Sequence, residues 1–207
     1  MEAIWTAFFP ALSKLKSLIS EGAIGPIRMI EADFGFTAHT DPDHRLNNPN
    51  LAGGTLLDIG IYPIFLTQFL KGAPEQINTQ ATMTDTGVDG STTMQLSRSD
   101  GTLASLSATI MADTAIIATI SGPKGYITLH RRWHECREIS LHDKSGKVNS
   151  WSFPDDCHGY LYEIEEVHRC LKEGLTESEI LSHAFSIDLI STLDQVRNRI
   201  GLQYPFE

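Results

Sequence analysis

The chain has 207 residues and a mass of 22.9 kDa, enough for one well-formed core and short for two full domains with a linker. Its 41% hydrophobic and 20% charged residues exclude a disordered chain, and no unbroken apolar run reaches the roughly 18 residues that cross a bilayer. A formal charge of −10, whose one dense basic spot is Arg131, Arg132 and Arg137, argues against nucleic-acid binding, which needs clustered cations. The three cysteines, Cys136, Cys157 and Cys170, form no C-x-x-C pair and are odd in number, as expected for reduced thiols. The first residues show no basic stretch ahead of an apolar one and no cleavage site, so a cytoplasmic location is expected.

In chain order, the first predicted element is an amphipathic helix. Pro10 suits its first turn, Leu12, Leu15, Leu18 and Ile19 recur at helical spacing, and Gly22 stands where a cap belongs. From Pro26 to Phe36 the pattern alternates, with Ile30, Ala32, Phe34 and Phe36 on one side of a strand. A polar loop over 37–50 follows. A helix is predicted over 53–70, with Leu56, Leu57, Ile61, Phe65 and Phe69 as its apolar side and a kink at Pro63, which has no N–H for Ile59. Strands are then predicted over 76–84, 92–98, 102–111, 114–121, 126–130, 138–142 and 148–153, several joined by glycine turns such as Gly122–Gly125. In 103–111, Ala104, Leu106, Ala108 and Ile110 share a face, and Ser105, Ser107 and Thr109 the other.

Two helices close the chain. One spans 160–172 with Leu161, Ile164, Val167 and Leu171 facing inward. The other starts near Ser182, a good N-cap, and presents Phe185, Leu189, Leu193, Val196 and Ile200. The whole reads as a single α+β domain over 1–207: two layers, with a large, mainly antiparallel open sheet backed by helices. Helices at both ends of the chain cover one face of that sheet, so its other face is expected to pack against a second copy, giving a homodimer.

The run GGTLLDIGIYP, residues 53–63, concentrates the chemistry. Asp58 and Tyr62 stand four apart, on one face of a helix, inside an otherwise apolar segment behind glycines that let another molecule approach. Such a pair points to proton transfer, although a structural pair of a helix-start carboxylate and a core-capping phenol fits the spacing equally well. Tyr titrates near ~10, so the phenol needs a nearby cation or a proton relay to work at neutral pH. In the 37–50 loop, His39, Asp41, Asp43, His44 and Arg45 match no closed metal pattern, and no metal site is expected. Arg45 is placed either to clamp a carboxylate or sugar hydroxyls or to form a surface ion pair. Trp5 suits stacking on a substrate or anchoring the core. Asp155, Asp156, Cys157 and His158 suit the cap of the next helix. No G-x-G-x-x-G or G-x-x-x-x-G-K-[ST] occurs, so the chain carries no phosphate cradle of a known kind and no nucleotide is expected on it.

With MEAIWTAFFP, EGAIGPIRMIEADFGF, DPDHRL, GGTLLDIGIYP and SGPKGYITLHR in this order, the chain resembles the C-terminal domain of the Gfo/Idh/MocA oxidoreductases, the glucose-fructose oxidoreductase and inositol dehydrogenase family. The D-x-G-x-Y run is most similar to the branch of dimeric dihydrodiol and xylose dehydrogenases. The resemblance implies a glyceraldehyde-3-phosphate dehydrogenase-like C-terminal fold that dimerises through its open sheet face. It implies an NAD- or NADP-binding Rossmann domain ahead of Met1 that supplies a catalytic lysine, and a sugar or trans-dihydrodiol substrate. In that scheme Tyr62 is the acid/base, Asp58 holds substrate or tunes Tyr62, and Arg45, His44 and Trp5 line the pocket. Relatives often read W-T-R-F where this chain has Trp5, Thr6, Ala7 and Phe8, which removes a basic group near the site. The chain by itself is expected to be inactive. The other reading left open is a free-standing ligand-binding or scaffold module that keeps the pocket and the sheet.

Overall fold

The computed structural model describes residues 1–39, 41–154 and 159–207. Asp155, Asp156, Cys157 and His158, read above as a helix cap, lie outside the described residues. In chain order the elements are α1 (Pro10–Ser20), β1 (Met29–Gly35), a π-helical turn (Leu56–Gly60), α2 (Ile61–Lys71), β2 (Gln76–Met83), β3 (Asp89–Ser97) and β4 (Leu103–Thr109). They continue with β5 (Ala118–Gly122), β6 (Gly125–Leu129), β7 (Glu138–Asp143), β8 (Val148–Ser152), α3 (Tyr160–Lys172) and α4 (His183–Ile200), together with short 3-10 turns. The class is α+β, as expected, and within the two units described below every strand pair is antiparallel except the parallel pair β1 and β4.

The chain divides into two compact units. The first comprises Met1–Ile27 and Ile117–Asp188. Its strands run β5-β6-β7-β8, and Gly122 opposite Gly125 closes the predicted β5–β6 hairpin. Leu12, Leu15 and Leu18 of α1 are buried as the helical spacing requires, together with Ile120, Ile127, Leu129 and Ile139 from alternate strand positions. The helix α3 departs from expectation. Leu161, Ile164, Val167 and Leu171 are exposed, and Glu166 and Cys170 are buried instead. The Glu166 carboxylate explains the inversion, because it is fully partnered where it sits. Arg169 donates to both of its oxygens at 2.8 and 2.9 Å, and the Ser178 hydroxyl and Cys170 thiol also donate to it. A paired, hydrogen-bonded carboxylate is tolerated inside where a bare one is not.

The second unit comprises Arg28–Ile116 and Leu189–Glu207, with strand order β2-β3-β4-β1. β1 lies alongside β4 with Ile30 opposite Ala104, Ala32 opposite Leu106 and Phe34 opposite Ala108, so the apolar sides of both strands coincide. Ala104, Leu106, Ala108 and Ile110, predicted to share a face, are all buried. The π-turn and α2 pack on that side through Leu56, Ile59, Ile64 and Phe65. The segment Pro49–Lys71 has the length and mean hydropathy of a membrane span, but 67% of its most apolar window is buried inside the protein, as in a core helix. From α4, Leu189, Leu193 and Val196 are buried, and the Ser182 hydroxyl accepts the Phe185 N–H at 3.2 Å, the cap read from the sequence.

Candidate active site

The segment predicted as one kinked helix over 53–70 is one unbroken helical run over 55–71, whose irregularity is a π-turn ahead of the proline. A π-turn covers Leu56–Gly60, and α2 begins at Ile61. Pro63 therefore falls in the first turn of α2, directly after the π-turn, where the hydrogen-bond ladder is already widened and a missing N–H is most easily accommodated. The irregularity expected at the proline has moved one turn upstream, and Asp58 stands in the middle of it. Turns of this kind widen the ladder locally and re-aim side chains, which is why they recur at working sites.

The glycines ahead of the turn have a different role from the one read in the sequence. A Cβ at Gly53 would meet the Arg45 carbonyl at 2.8 Å and the Asn48 backbone N at 2.9 Å. At Gly54, with φ +118°, it would meet Asp89 Oδ1 at 2.2 Å. The glycines make room for neighbours within the chain rather than for a visiting molecule. Their backbone also anchors the loop: Gly53 N–H donates to the Asn48 carbonyl at 3.0 Å and Gly54 N–H to the Leu46 carbonyl at 2.8 Å. The buried Asn47 amide donates to the carbonyls of His39 and Asp41 at 2.6 and 3.0 Å, drawing the rest of the loop inward.

That loop delivers Arg45 to Asp58. The guanidinium Nη1 donates to Asp58 Oδ1 at 2.5 Å, with the two side chains 63% and 25% exposed. So exposed a pair contributes at most about 1 kcal/mol to stability, and its value is to orient two charged groups. Arg45 and Asp58 line a cavity of about 200 Å³ with Leu46, Leu51, Ala52, Gly53, Gly54 and Leu57. Its volume falls below the roughly 300 Å³ at which small-molecule sites begin. Tyr62, half-buried in the first turn of α2, sets its ring edge-on to Phe34 of β1 at 5.6 Å between centroids.

The other two predicted site residues have local roles. His44 accepts the Leu46 N–H through Nδ1 at 3.3 Å and lies 5.7 Å from the His39 ring. Trp5 belongs to the first unit, where it packs on Tyr160 at 4.5 Å and Phe9 at 5.3 Å between ring centroids. Among the described residues no group of three or more His, Cys, Asp or Glu side chains is placed to hold a metal ion. Cys136 and Cys170 are free thiols, and burial pushes Cys136 up to about 12, which removes it as a nucleophile.

Asp89, at the start of β3, was not picked out from the sequence. It is fully buried beneath the π-turn. Its Oδ2 accepts the Leu56 N–H and the Thr92 hydroxyl, both at 2.8 Å, and Oδ1 is buried without a hydrogen-bond partner among the described residues. Burial raises its pKa to about 6 against the opposing pull of those hydrogen bonds. Beside it the Tyr204 hydroxyl donates to the Gly53 carbonyl at 2.8 Å, and burial, with the Asp89 charge second, pushes that phenol up to about 12. The one sequence signal was an aspartate directly after Val88 at the head of a strand, where aspartate is disfavoured without a cause.

Residues 12–128 match the model of the GFO/IDH/MocA C-terminal domain. Trans-1,2-dihydrobenzene-1,2-diol dehydrogenase of Xenopus tropicalis is 36% identical over 213 residues, covering 99% of this chain and 64% of that protein. The enzyme of the same name from Homo sapiens is 33% identical over 212 residues, covering 99% and 63%. The chain thus spans just under two thirds of the length of these relatives. Among solved structures, an aldose-aldose oxidoreductase from Caulobacter crescentus complexed with glycerol superposes with a TM-score of 0.81 at 21% identity, over 94% of this chain and 59% of that one. A 3-ketoreductase from Actinomadura kijaniata, in complex with NADP and TDP-benzene, gives 0.82 at 22% identity, over 97% and 62%.

Proposed function

Because the chain belongs to the GFO/IDH/MocA family through its C-terminal domain, we propose that residues 1–207 are the substrate-binding and dimerisation part of an NAD(P)-dependent oxidoreductase acting on the CH–OH groups of a sugar or trans-dihydrodiol. The observation that carries this reading is the loop-borne Arg45 paired with Asp58 on a π-turn, where both line a cavity one helical turn before Tyr62. Relatives at 36 and 33% identity named as diol dehydrogenases, and a structural neighbour solved with NADP, support the substrate and cofactor classes.

The helix start at Leu56 does not fit a nucleotide phosphate. The glycine-preceded helix start at Leu56, the natural place for a phosphate, is already filled by the Asp89 carboxylate, which takes the Leu56 N–H and repels a second anion. No step is therefore derived through nicotinamide, and NAD or NADP is assigned to a separate nucleotide-binding domain. What this chain supplies is orientation and a proton path. Arg45 has five N–H donors and gives one to Asp58, leaving others for substrate hydroxyls. Tyr62 gives a proton to, or takes it from, the substrate oxygen that alternates between hydroxyl and carbonyl. The small cavity is one wall of a site that the nucleotide-binding domain completes, and the chain alone is inactive.

Titrating the 207-residue chain with NADH and NADPH, followed by nicotinamide fluorescence with and without xylose, checks the division of labour. No saturable binding is expected. Micromolar binding would show a nucleotide site on this chain and overturn the assignment.

The dimer is proposed on the polar, small-residue side of β2–β4, where Thr93, Gln95, Ser105 and Ser107 face away from the buried side chains. Light scattering at micromolar concentration is expected to give twice the chain mass of 22.9 kDa. A monomer mass, unchanged on concentration, would remove the sheet face as an interface.

A further inference from the structure

The hydrogen bonds around the head of β3 converge on one small piece of backbone. Asp89 Oδ2 accepts the Leu56 N–H, the Thr55 hydroxyl donates to the Gly90 carbonyl at 3.0 Å, and Thr92 braces the carboxylate from the next turn of the strand. Two consecutive residues of β3 thus grip two consecutive residues at the start of the π-turn, and Asp58 is the second residue after that grip. The grip is buried: Thr55, Leu56, Asp89 and Thr92 are all fully inaccessible. Asp89 Oδ1 presses on the Gly54 Cα closely enough that not even a methyl group fits between them. A carboxylate accepting a backbone N–H at a helix start is the strong form of such a contact, since it satisfies an orphan donor and opposes the helix dipole.

We propose that Asp89 is a positioning residue of the site: through the Leu56 amide it fixes the π-turn, and with it the Asp58 carboxylate that holds Arg45. The proposal rests on Asp58 and Arg45 belonging to the site, but it does not depend on which reaction the site performs. Asp89 acts from beneath and touches neither the cavity nor any substrate within it. A protonated Asp89 still bonds Leu56, but as a neutral acceptor, so the grip loosens as the carboxyl takes up its proton near pH 6. The titratable group that faces Asp89 from the packed C-terminal segment is Tyr204, itself covered by Arg197 at 4.9 Å and with Glu207 beyond that cation. Asp58 belongs to the turn itself, Arg45 pairs with it, and His44 precedes Arg45 in the loop.

The test is an NMR titration of the 207-residue chain between pH 4 and 8, following the amides of residues 55–60 and the Asp58 side-chain carboxyl carbon. In the parent protein these signals share an inflection near pH 6. In Asp89→Asn, which keeps an acceptor for Leu56 and cannot ionise, the turn stays formed and that inflection disappears. In Asp89→Ala, hydrogen exchange at 56–60 accelerates by ~10-fold or more, while the amides of β2 and β4 hold their protection. An inflection that survives Asp89→Asn, or that is removed by His44→Gln, overturns the proposal, as does unchanged exchange in Asp89→Ala. Should the alanine variant fail to fold, the comparison of parent and asparagine variant decides by itself. The readout is the order of the turn and not turnover, so a failed grip and a failed dehydrogenase are separate results.

Discussion

Replacing Tyr62 with phenylalanine, in an enzyme that joins this chain to a nucleotide-binding domain of the family, is expected to lower kcat by ~100-fold or more while leaving the affinity for NAD(P) nearly unchanged. The change removes one oxygen and keeps the ring, so the edge-on contact with Phe34 survives and the fold is undisturbed. In the proposed role the lost group is the proton donor and acceptor, and general acid–base catalysis contributes about two orders of magnitude or more where the proton moves in the transition state. Cofactor affinity is the internal control, because the proposal assigns the nucleotide to the other domain. Steady-state rates and cofactor titration on the same preparation distinguish the outcomes. Turnover equal to the parent would remove Tyr62 from the chemistry, and a joint loss of turnover and cofactor binding would mean that the site had been misassembled rather than disarmed.

Gly54→Ala is expected to destabilise the fold by about 3 kcal/mol or more, a large share of the roughly 5–15 kcal/mol that holds a domain together. Two costs add. A residue with a side chain held at φ +118° is strained by about 1–3 kcal/mol. The new methyl group would also overlap Asp89 Oδ1, which must withdraw and leave the Leu56 N–H buried without a partner, at about 1–3 kcal/mol more. Gly87→Ala separates the two. That glycine also has a positive φ, +87°, but a methyl group there meets nothing within 4 Å, so only the backbone cost of about 1–2 kcal/mol applies. Urea unfolding of the three proteins reads the difference as a shift in midpoint. Equal losses in the two variants would show that Gly54 matters for its backbone alone and that Asp89 is not pressed against it.

Three contrasts show how much of this was legible before the structure. The strand pattern was: Ala104, Leu106, Ala108 and Ile110 alternate with small polar residues, and a two-residue period has only one solution on a pleated sheet that buries one face. The same holds for Ser182 as the cap of α4 and for Leu12, Leu15 and Leu18 beneath α1, since each depends on neighbours within a turn or two. Helix α3 was not legible in this way. Its strongest apolar stripe, Leu161, Ile164, Val167 and Leu171, lies exposed, because the competing face carries a carboxylate whose partners include Ser178, beyond the end of the helix. Spacing along α3 cannot reveal a partner that folding brings from outside it.

The site divides along the same line. The amino-acid sequence by itself determined the class of the fold, the order of its elements, the placing of Asp58 and Tyr62 on one short helical segment, and a polar loop that carries Arg45, because each follows from backbone periodicity, turn chemistry and side-chain type over a few residues. Only the tertiary structure decided that the helix opens into a π-turn at Asp58, that Arg45 returns across the loop to pair with it, that the two glycines yield their space to the chain itself, and that Asp89 holds the turn from below. Each of these joins residues far apart in the chain, 13 for Arg45 and Asp58 and 33 for Leu56 and Asp89. Contacts of that kind are set by how the sheet and the turn pack together, which local periodicity does not encode.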